Sequence, residues 1–415
     1  MNTSEKLRDL NEMLNHARKS DFYANRLSDG PFVSLDQLKT IPVTTKEHLR
    51  EQSPSGLLCS DTEELYQYHE SSGTTGEPVS SWFTREDINY NVKQIISCSI
   101  DINSKDIVLV RFPYNLSGAA HMMHRAAQSK KACVVPASGT ATIPFTKVVN
   151  LLKKLDVTIL SCLSLQAVII AETAEILGLN PKGDFPNLRA IFTAGETLSP
   201  YRRQLIEDIW GVPVYEFYGM TEIGTAIVDC EHFQTHAIEG DFVFEILDDT
   251  LTKEVQSGQF GHLVITTLKK KATPMIRYLT GDKARIVEEP CPCGRSQRFE
   301  IRGRHKDTLF VNQRPLDLWD VEEIIAHLPC QRFWCASTDM GQLNILIEKE
   351  QPFDHLNPTQ TKLLEAKFNL PLNIQLVPKG TLYDREQLLS VGLKGKPKYF
   401  YTPEEWRKKE YIHYK

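Results

Sequence analysis

The sequence lacks the features of a secreted, membrane-spanning or nucleic-acid-binding protein. Residues Met1 to Leu10 contain no apolar segment, so we expect no signal peptide. The longest uncharged stretch, residues 157–171, contains Ser and Gln and is too short to span a bilayer. The formal net charge is −5, which offers no basic surface to nucleic acid or anionic lipid. We therefore expect a cytoplasmic protein with no membrane and no nucleic-acid partner.

Cysteine is scarce and odd in number, with nine among 415 residues. In a long chain without an export signal this pattern indicates reduced thiols rather than a disulfide framework. Internal repeats and low-complexity tracts are also absent. The composition, 41% hydrophobic and 24% charged, is globular. The length exceeds one typical core, which predicts two domains or one large domain with an appendage.

Apolar strands alternate with helices in the middle of the chain. The predicted strands are residues 106–112, 132–135, 157–161, 188–193 and 212–217, and the predicted helices are 145–155, 165–177 and 200–210. This alternation favours a parallel sheet covered by helices on both faces, and such sheets bind ligands at the carboxyl ends of their strands. The loops 113–118, 194–197 and 218–222 should therefore converge on one pocket.

The residues outside this alternation complete an α/β fold. We predict an amphipathic helix at 4–18, a capping box with Thr44 as N-cap and Glu47 at N3, and a helix capped by Thr84. Beyond residue 224 we predict strands at 242–247, 261–267 and 274–278. Beyond Gly303 we predict helices at 318–326 and 358–368 and a strand at 343–347. The prediction is a large N-terminal domain (1–303) with mostly parallel, helix-covered sheets and a small, mobile α+β C-terminal domain (304–415).

A loop rich in hydroxyls and glycines lies between two strand-like segments, 64–68 and 78–83. Its six positions are Ser71, Ser72, Gly73, Thr74, Thr75 and Gly76. Hydroxyls and free N–H groups donate hydrogen bonds, and glycines let the backbone approach a ligand, so the loop suits phosphate oxygens. No Lys follows the second Gly, so it is not the G-x-x-x-x-G-K-[ST] loop. A hairpin tip that holds a polyphosphate is favoured over a flexible surface turn.

The segment 218–222 closes a predicted strand with an aromatic and a carboxylate. Tyr218 can stack on a purine, and Glu222 is the kind of oxygen ligand that Mg²⁺ prefers. The alternative is a strand-to-helix turn with Glu222 at a helix N-terminus. In the loop after the first predicted strand, polar side chains suit a hydroxylated aromatic ring; ordinary packing is the alternative there. These candidate acid-binding residues are Tyr114, Ser117, Gly118 and His121, with His124.

The loop at 71–76 and the segment 218–222 resemble the phosphate-binding and adenine- and magnesium-binding motifs of the AMP-forming adenylating enzymes. Segments 194–196, 277–282 and 303–307 resemble further motifs in the same order. The resemblance implies that Tyr218 and Gly219 bind the nucleotide and that Thr221 and Glu222 are catalytic residues. It also implies that Gly195 and Glu196 line the adenine and acyl pocket and that Asp282 binds the ribose. Arg304 would contact the ribose or a phosphate, and Lys306 would be the hinge about which the small domain rotates. A catalytic Lys near the C-terminus aligns best with Lys396, among Lys394, Lys396 and Lys398.

The branch that the chain resembles most is that of the phenylacetate–CoA ligases. This implies that a carboxylate attacks MgATP, pyrophosphate leaves, and a thiol then attacks the acyl-adenylate. Within the branch the chain also looks similar to enzymes that activate 3,4-dihydroxybenzoate for siderophore assembly. The first hypothesis is therefore an aromatic-acid adenylating enzyme that loads an aryl carrier protein. The second is the same chemistry with free CoA, and the third is a regulatory nucleotide-binding protein with an inactive site.

Four residues in two later loops have zinc-binding side chains: Cys230, His236, Cys291 and Cys293. The Cys-x-Cys spacing is tighter than in common zinc sites, but the two loops together supply a tetrahedral set. Four protein ligands leave no open position, so this zinc would be structural. The segment 291–295 also resembles one in phenylacetate–CoA ligase-like proteins. Unconnected surface thiols are the alternative.

Overall fold

The computed structural model describes residues 3–71, 77–138, 143–295, 297–328, 332–350, 358–386, 389 and 398–411. The N-terminal segment is helical: α1 is Thr3–Ala17, α2 is Asp21–Ala24, a 3-10 helix is Leu35–Thr40, and α3 is Lys46–Glu51. Leu10, Leu14 and Ala17 are buried along one side of α1, which confirms the amphipathic helix. No helix in the described part of the chain is long and apolar enough to cross a membrane.

The capping box of α3 was predicted one residue too early. Thr45 is the N-cap, and His48 completes the box. Thr44 is instead bonded to a distant segment: its hydroxyl donates to the carbonyl of Ile276 at 2.7 Å, and its backbone amide donates to the carbonyl of Arg277 at 2.8 Å. The start of α3 is therefore anchored to the segment that leads into the ribose motif.

The predicted hairpin around the hydroxyl-rich loop is present. A 3-10 helix at Thr62–Glu64 leads into β1, Leu65–Glu70, which pairs antiparallel with β2, Ser80–Thr84. Ser71 closes the hairpin through two hydrogen bonds with Val79: the Ser71 amide donates to the Val79 carbonyl at 3.0 Å, and the Val79 amide donates to Ser71 Oγ at 3.0 Å. Residues Ser72, Gly73, Thr74, Thr75 and Gly76 lie outside the described residues.

The described strands include eleven that form one large sheet, and one half of it is parallel. Its strands, in spatial order, are β4 (Cys133–Pro136), β3 (Ile107–Val110), β5 (Ile159–Cys162), β6 (Ala190–Ala194) and β7 (Val214–Met220). Its helices are α4 (Arg85–Ile96), α5 (Gly118–Ser129), α6 (Phe145–Lys154), α7 (Ser164–Ile176) and α8 (Pro200–Trp210). Helices α4 and α5 share one apolar core with this half, and α6, α7 and α8 share another. The helix-covered parallel sheet is confirmed.

The other half of the large sheet is antiparallel. From β7 outward it contains β8 (Gly224–Asp229), β9 (Thr235–Ala237), β13 (Arg298–Arg304), β12 (Tyr278–Val287), β11 (Gly261–Thr267) and β10 (Phe242–Leu247). The strand predicted at 274–278 is wrong, since the strand begins only at Tyr278. Arg277 has a φ of 47°, which interrupts an extended backbone, and its guanidinium is held by Glu245 at 2.9 Å.

The C-terminal segment forms a smaller sheet in the order β18, β17, β16, β19. Its elements are the hairpin β14 (Leu309–Val311) and β15 (Arg314–Leu316), then α9 (Leu318–Ile325), β16 (Trp334–Asp339), β17 (Gln342–Lys349), α10 (Pro358–Phe368), β18 (Leu372–Pro378), β19 (Phe400–Tyr401) and α11 (Pro403–Arg407). Alternate residues face opposite cores: Trp334 and Ala336 pack with α9, whereas Cys335 packs with α7 and α8. The predicted α/β fold with a smaller C-terminal sheet is confirmed.

Buried ion pairs join this smaller sheet and its helices to the parallel half. Arg202 of α8 donates from Nε to Glu322 of α9 at 2.8 Å, and both side chains are almost fully buried. Arg385 contacts Glu172 of α7 at 2.5 Å. Removing one partner of such a buried pair is strongly destabilising, so these contacts help to hold the two sheets in the described arrangement.

Candidate functional site

The adenine motif at the end of β7 and the ribose motif in β12 meet through their side chains, although β8, β9 and β13 separate the two strands in the sheet. The Tyr218 hydroxyl donates to Asp282 Oδ2 at 2.6 Å. Burial, and then the charge of Asp282, raises the pKa of Tyr218 well above its usual value, so the phenol stays a donor. Asp282 lies opposite Arg304 in the β12–β13 ladder. Three residues predicted from three separate motifs are thus brought together.

Glu222 lies beside this group, just after β7. Its side chain is 3% exposed; Lys46 Nζ lies 3.6 Å from Oε1, and the Tyr278 hydroxyl donates to Oε1 at 3.4 Å. Thr221 lies half-buried in the turn that leads into β8. Gly219 is required by the close approach of these strands, because a Cβ there would lie 2.4 Å from the carbonyl oxygen of Gly224.

The carboxylate of Glu222 fits a hard divalent cation. The contacts from Lys46 and Tyr278 are long for an ion pair and a hydrogen bond, so they occupy Oε1 of Glu222 only weakly. Mg²⁺ is usually held by one or two carboxylates together with substrate phosphates. Glu222 would hold Mg²⁺ here, and the metal would supply positive charge against ATP phosphates.

The loop after β6 places Gly195 and Glu196 next to the start of α7. Glu196 accepts hydrogen bonds from the Ser164 hydroxyl at 2.5 Å and from the Leu165 amide at 3.1 Å. Gly195 has a φ of 79°, a conformation that favours glycine. These contacts turn the Glu196 carboxylate towards the first turn of α7, where it stabilises the helix N-terminus.

The candidate acid-binding residues form an aromatic cluster at the start of α5. The Tyr114 hydroxyl shares a hydrogen bond with His124 Nδ1 at 3.1 Å, and His121 Nε2 donates to the Tyr114 carbonyl at 2.8 Å. Gly118 begins the helix, and Ser117 is its N-cap without a side-chain cap bond. Burial raises the pKa of Tyr114 to about 12, so it too remains a neutral phenol.

His69 belongs to this cluster and was missed by the sequence reasoning. It is 3% exposed, its ring centroid lies 5.3 Å from that of His121, and its Nδ1 donates to the Leu116 carbonyl at 3.2 Å. Burial, and then the neighbouring His121, lowers its pKa to about 4. A Cβ added at Gly118 would touch the His69 ring at 3.7 Å. The only sequence signal was its position two residues before the hydroxyl-rich loop.

Contacts connect these groups into one continuous site. Glu70, at the end of β1, donates its amide to Leu116 at 2.8 Å, which joins the hairpin to the aromatic cluster. At the other end of the loop, Arg50 Nε donates to the carbonyl of Glu77 at 3.1 Å. Arg50 lies on α3 with Lys46, which contacts Glu222, and Glu222 is bonded by Tyr278. Lys46 and Arg50 were also missed, since α3 carries no known motif.

The predicted catalytic lysine is not placed. Lys394 and Lys396 lie outside the described residues. Lys398 is described, and its ammonium pairs with Glu405.

A second cluster lies away from these motifs, beside β9. The ligand atoms of Cys230, His236, Cys291 and Cys293 all lie within 4.8 Å of one another. The Sγ atoms of Cys230 and Cys291 are 3.7 Å apart, and Cys293 Sγ lies 3.4 Å from His236 Nε2. A tetrahedral zinc with ordinary bond lengths would separate two sulfurs by about 3.8 Å and a sulfur and a nitrogen by about 3.6 Å.

The environment of two of these sulfurs also suits a metal-bound thiolate. The backbone amide of His232 points at Cys230 Sγ at 3.3 Å, and that of Arg295 points at Cys293 Sγ at 3.4 Å. Amide N–H groups stabilise negative charge on sulfur. The donor set and its spacing therefore fit zinc.

Comparisons with known proteins identify a family and related enzymes. The family model described as "AMP-binding enzyme" matches residues 26–268. Phenylacetate-coenzyme A ligase of Thermus thermophilus is 29% identical over 306 residues, 72% of this chain and 68% of the relative. The enzyme of the same name from Pseudomonas putida is 28% identical over 343 residues, 80% of this chain and 76% of the relative.

Among solved structures, a crystal structure of 2-hydroxyisobutyryl-CoA ligase in the postadenylation state, in complex with 2-HIB-AMP, superimposes with a TM-score of 0.86. It is 20% identical in sequence, and the match covers 97% of this chain and 90% of that one. At this identity the likeness establishes the fold.

Proposed function

Because the chain belongs to the AMP-binding enzyme family, in its phenylacetate–CoA ligase branch of AMP-forming acid–thiol ligases, we propose that it activates an aromatic carboxylic acid with ATP and transfers it to CoA. The observation that carries this proposal is the hydrogen bond from Tyr218 to Asp282, with Glu222 beside it and an aromatic cluster connected through the hairpin. CoA is favoured over a carrier protein because the relatives are named for CoA.

In the proposed first step, an oxygen of the acid carboxylate attacks the α-phosphorus of ATP. The bond from this phosphorus to the bridging oxygen breaks, and pyrophosphate leaves with the electron pair. Tyr218 would present its ring to adenine and orient Asp282, which would accept hydrogen bonds from the ribose hydroxyls. In the second step the CoA thiolate attacks the acyl carbon, and AMP leaves. Lys396 would offset charge at the α-phosphate in the first step only.

The aromatic cluster favours an aromatic acid with a ring hydroxyl, such as 3,4-dihydroxybenzoate. Tyr114 and His124 already share a hydrogen bond, so their polar atoms suit a partner that both donates and accepts. His69 and His121 fix the loop that carries Tyr114 by donating to its carbonyls. A pocket of this kind orients a small ligand by few polar contacts.

Exchange of labelled pyrophosphate into ATP tests the proposal. We expect exchange that depends on an acid from a panel of benzoate, phenylacetate, 4-hydroxybenzoate and 3,4-dihydroxybenzoate. Adding CoA should then give the aryl thioester, identified by mass. Exchange with no acid in an aromatic and aliphatic panel would contradict the proposal and favour an inactive nucleotide-binding protein. If exchange occurs but the thioester forms only on a phosphopantetheinylated carrier protein, the acceptor is that carrier protein rather than CoA.

We also propose that Cys230, His236, Cys291 and Cys293 hold a structural zinc ion. Support comes from two separations close to those of tetrahedral zinc: 3.7 Å between the sulfurs of Cys230 and Cys291, and 3.4 Å between the sulfur of Cys293 and Nε2 of His236. The ion would tie the turn after β8 to the segment before β13. Since all four positions come from the protein, no place is left for a substrate, and the ion would take no part in acid activation.

A further inference from the structure

The hydroxyl-rich loop carries negative rather than positive charge. Residues 70–78 contain two carboxylates, Glu70 and Glu77, and no Lys or Arg. Hydroxyls and amides alone would have to hold a triphosphate that bears several negative charges. Anion sites of this type ordinarily include a Lys or an Arg, which forms shorter and stronger bonds to phosphate than neutral donors do. Any cation for the distal phosphates must therefore come from another segment.

Helix α3 brings two cations to this loop. Lys46 and Arg50 are one turn apart and share a face of the helix. Arg50 Nε holds the carbonyl of Glu77, directly after the loop, and Arg50 also pairs with the exposed Glu47 at 3.2 Å. Lys46 lies 3.6 Å from the buried Glu222. Both side chains remain partly open to solvent, with 24% and 22% of their surface exposed.

Two further cations lie near Lys46 and Arg50. The pKa of Lys306 is lowered first by burial and then, against the effect of Asp307, by the charges of Arg304, Lys46 and Arg50. Cations from α3, from the end of β13 and from the following turn thus face the same space. Like charges repel one another, so an anionic ligand placed among these four cations would be stabilised by them, in addition to the carboxylates of Glu47, Glu222 and Asp307 that lie nearby.

We propose that Lys46 and Arg50 bind the β- and γ-phosphates of ATP and the pyrophosphate that leaves. This inference rests on the proposed function. When the bond between the α-phosphorus and the bridging oxygen breaks, the electron pair stays on that oxygen, so the leaving pyrophosphate gains one negative charge. Lys46 and Arg50 offset that charge, which the loop itself has no cation to do. AMP has no distal phosphates, so its binding does not depend on the pair.

Equilibrium binding of ATP and AMP, measured by calorimetry without acid and without Mg²⁺, tests the proposal apart from turnover. In Arg50→Gln, ATP should bind about 10- to 100-fold more weakly, the scale of one lost charged hydrogen bond, while AMP should bind as it does to the wild type. Lys46→Met should have the same selectivity. Arg50→Lys and Lys46→Arg keep the charge and should restore most of the ATP affinity. The matched control is Lys39→Met, whose lysine pairs with Asp36 and Glu254 instead.

The outcomes separate this inference from the proposed function. A wild-type protein that binds neither ATP nor AMP would overturn both. Normal ATP binding by Arg50→Gln and Lys46→Met would overturn the inference alone. Equal weakening of ATP binding and AMP binding would also overturn the inference, because that result indicates a structural role for α3. The charge-conserving variants Arg50→Lys and Lys46→Arg distinguish this case from misfolding. A raised KM for pyrophosphate in the reverse reaction, with unchanged thioester formation from supplied aryl-adenylate, would support it.

Discussion

The hydrogen bond from Tyr218 to Asp282 gives the sharpest prediction about nucleotide binding. Tyr218→Phe keeps the ring that would stack on adenine and removes only the hydroxyl that donates at 2.6 Å. A hydrogen bond to a charged group contributes about 1.5–3 kcal/mol, which corresponds to about 10- to 100-fold in affinity. If this bond orients Asp282 towards the ribose, AMP should bind more weakly by that factor. AMP that lacks the 2′ and 3′ hydroxyls should bind equally to both proteins.

The assay is calorimetric binding of AMP and of 2′,3′-dideoxy-AMP to the wild type, Tyr218→Phe and Tyr278→Phe. Tyr278 is the matched control, because its hydroxyl contacts Glu222 at 3.4 Å rather than Asp282. It should keep the wild-type preference for AMP over the dideoxy form. Equal weakening of both nucleotides by Tyr218→Phe would refute the reasoning, since a general packing defect ignores the ribose hydroxyls. So would an unchanged preference for AMP.

The remaining predictions concern metal, pH and the C-terminal lysine. Purified protein should contain about one zinc per chain by elemental analysis, and Cys293→Ser should lose it. The pKa of His69 is about 4 in the folded protein and near 6.5 in the unfolded chain, so between these values the unfolded state binds more protons. The free energy of unfolding should therefore fall by about 3 kcal/mol as pH drops through this window, and His69→Gln should lose this dependence in urea unfolding. Lys396→Ala should slow adenylate formation about 10²- to 10³-fold and spare thioester formation from supplied adenylate.

Each of these experiments has a control in the same chain. Cys133→Ser changes an exposed cysteine outside the cluster and should keep the zinc; protein without zinc would leave the four-ligand proposal unsupported. His327→Gln changes an exposed histidine and should keep the wild-type slope; an identical slope in His69→Gln would show that His69 is not the titrating group. Loss of both half-reactions in Lys396→Ala, or damage from Lys394→Ala instead, would show that Lys396 is misassigned.

Patterns that repeat locally were enough to predict most of the fold. The helix at 200–210 and the strands at 242–247 and 261–267 have their predicted bounds, because apolar periodicity and caps are local signals. The strand at 274–278 was mispredicted because the left-handed backbone at Arg277 depends on a distant partner, Glu245. Tertiary pairing of this kind has no signature within a short window.

The candidate site divides in the same way. Tyr218, Glu222 and Asp282 could be predicted because each lies in a short string with a recognisable chemistry. Lys46, Arg50 and His69 could not, since each gains its place only when α3 and β1 fold against other segments. The zinc cluster was predicted from residue types alone, and the fold brings its two loops to metal-binding distance.

A crystal structure with bound AMP tests the central claim most directly. We expect the base against the Tyr218 ring, the ribose hydroxyls on Asp282, and the phosphate directed towards Glu222 and the hydroxyl-rich loop. A nucleotide bound elsewhere on the protein, or one whose ribose lies away from Asp282, would contradict it.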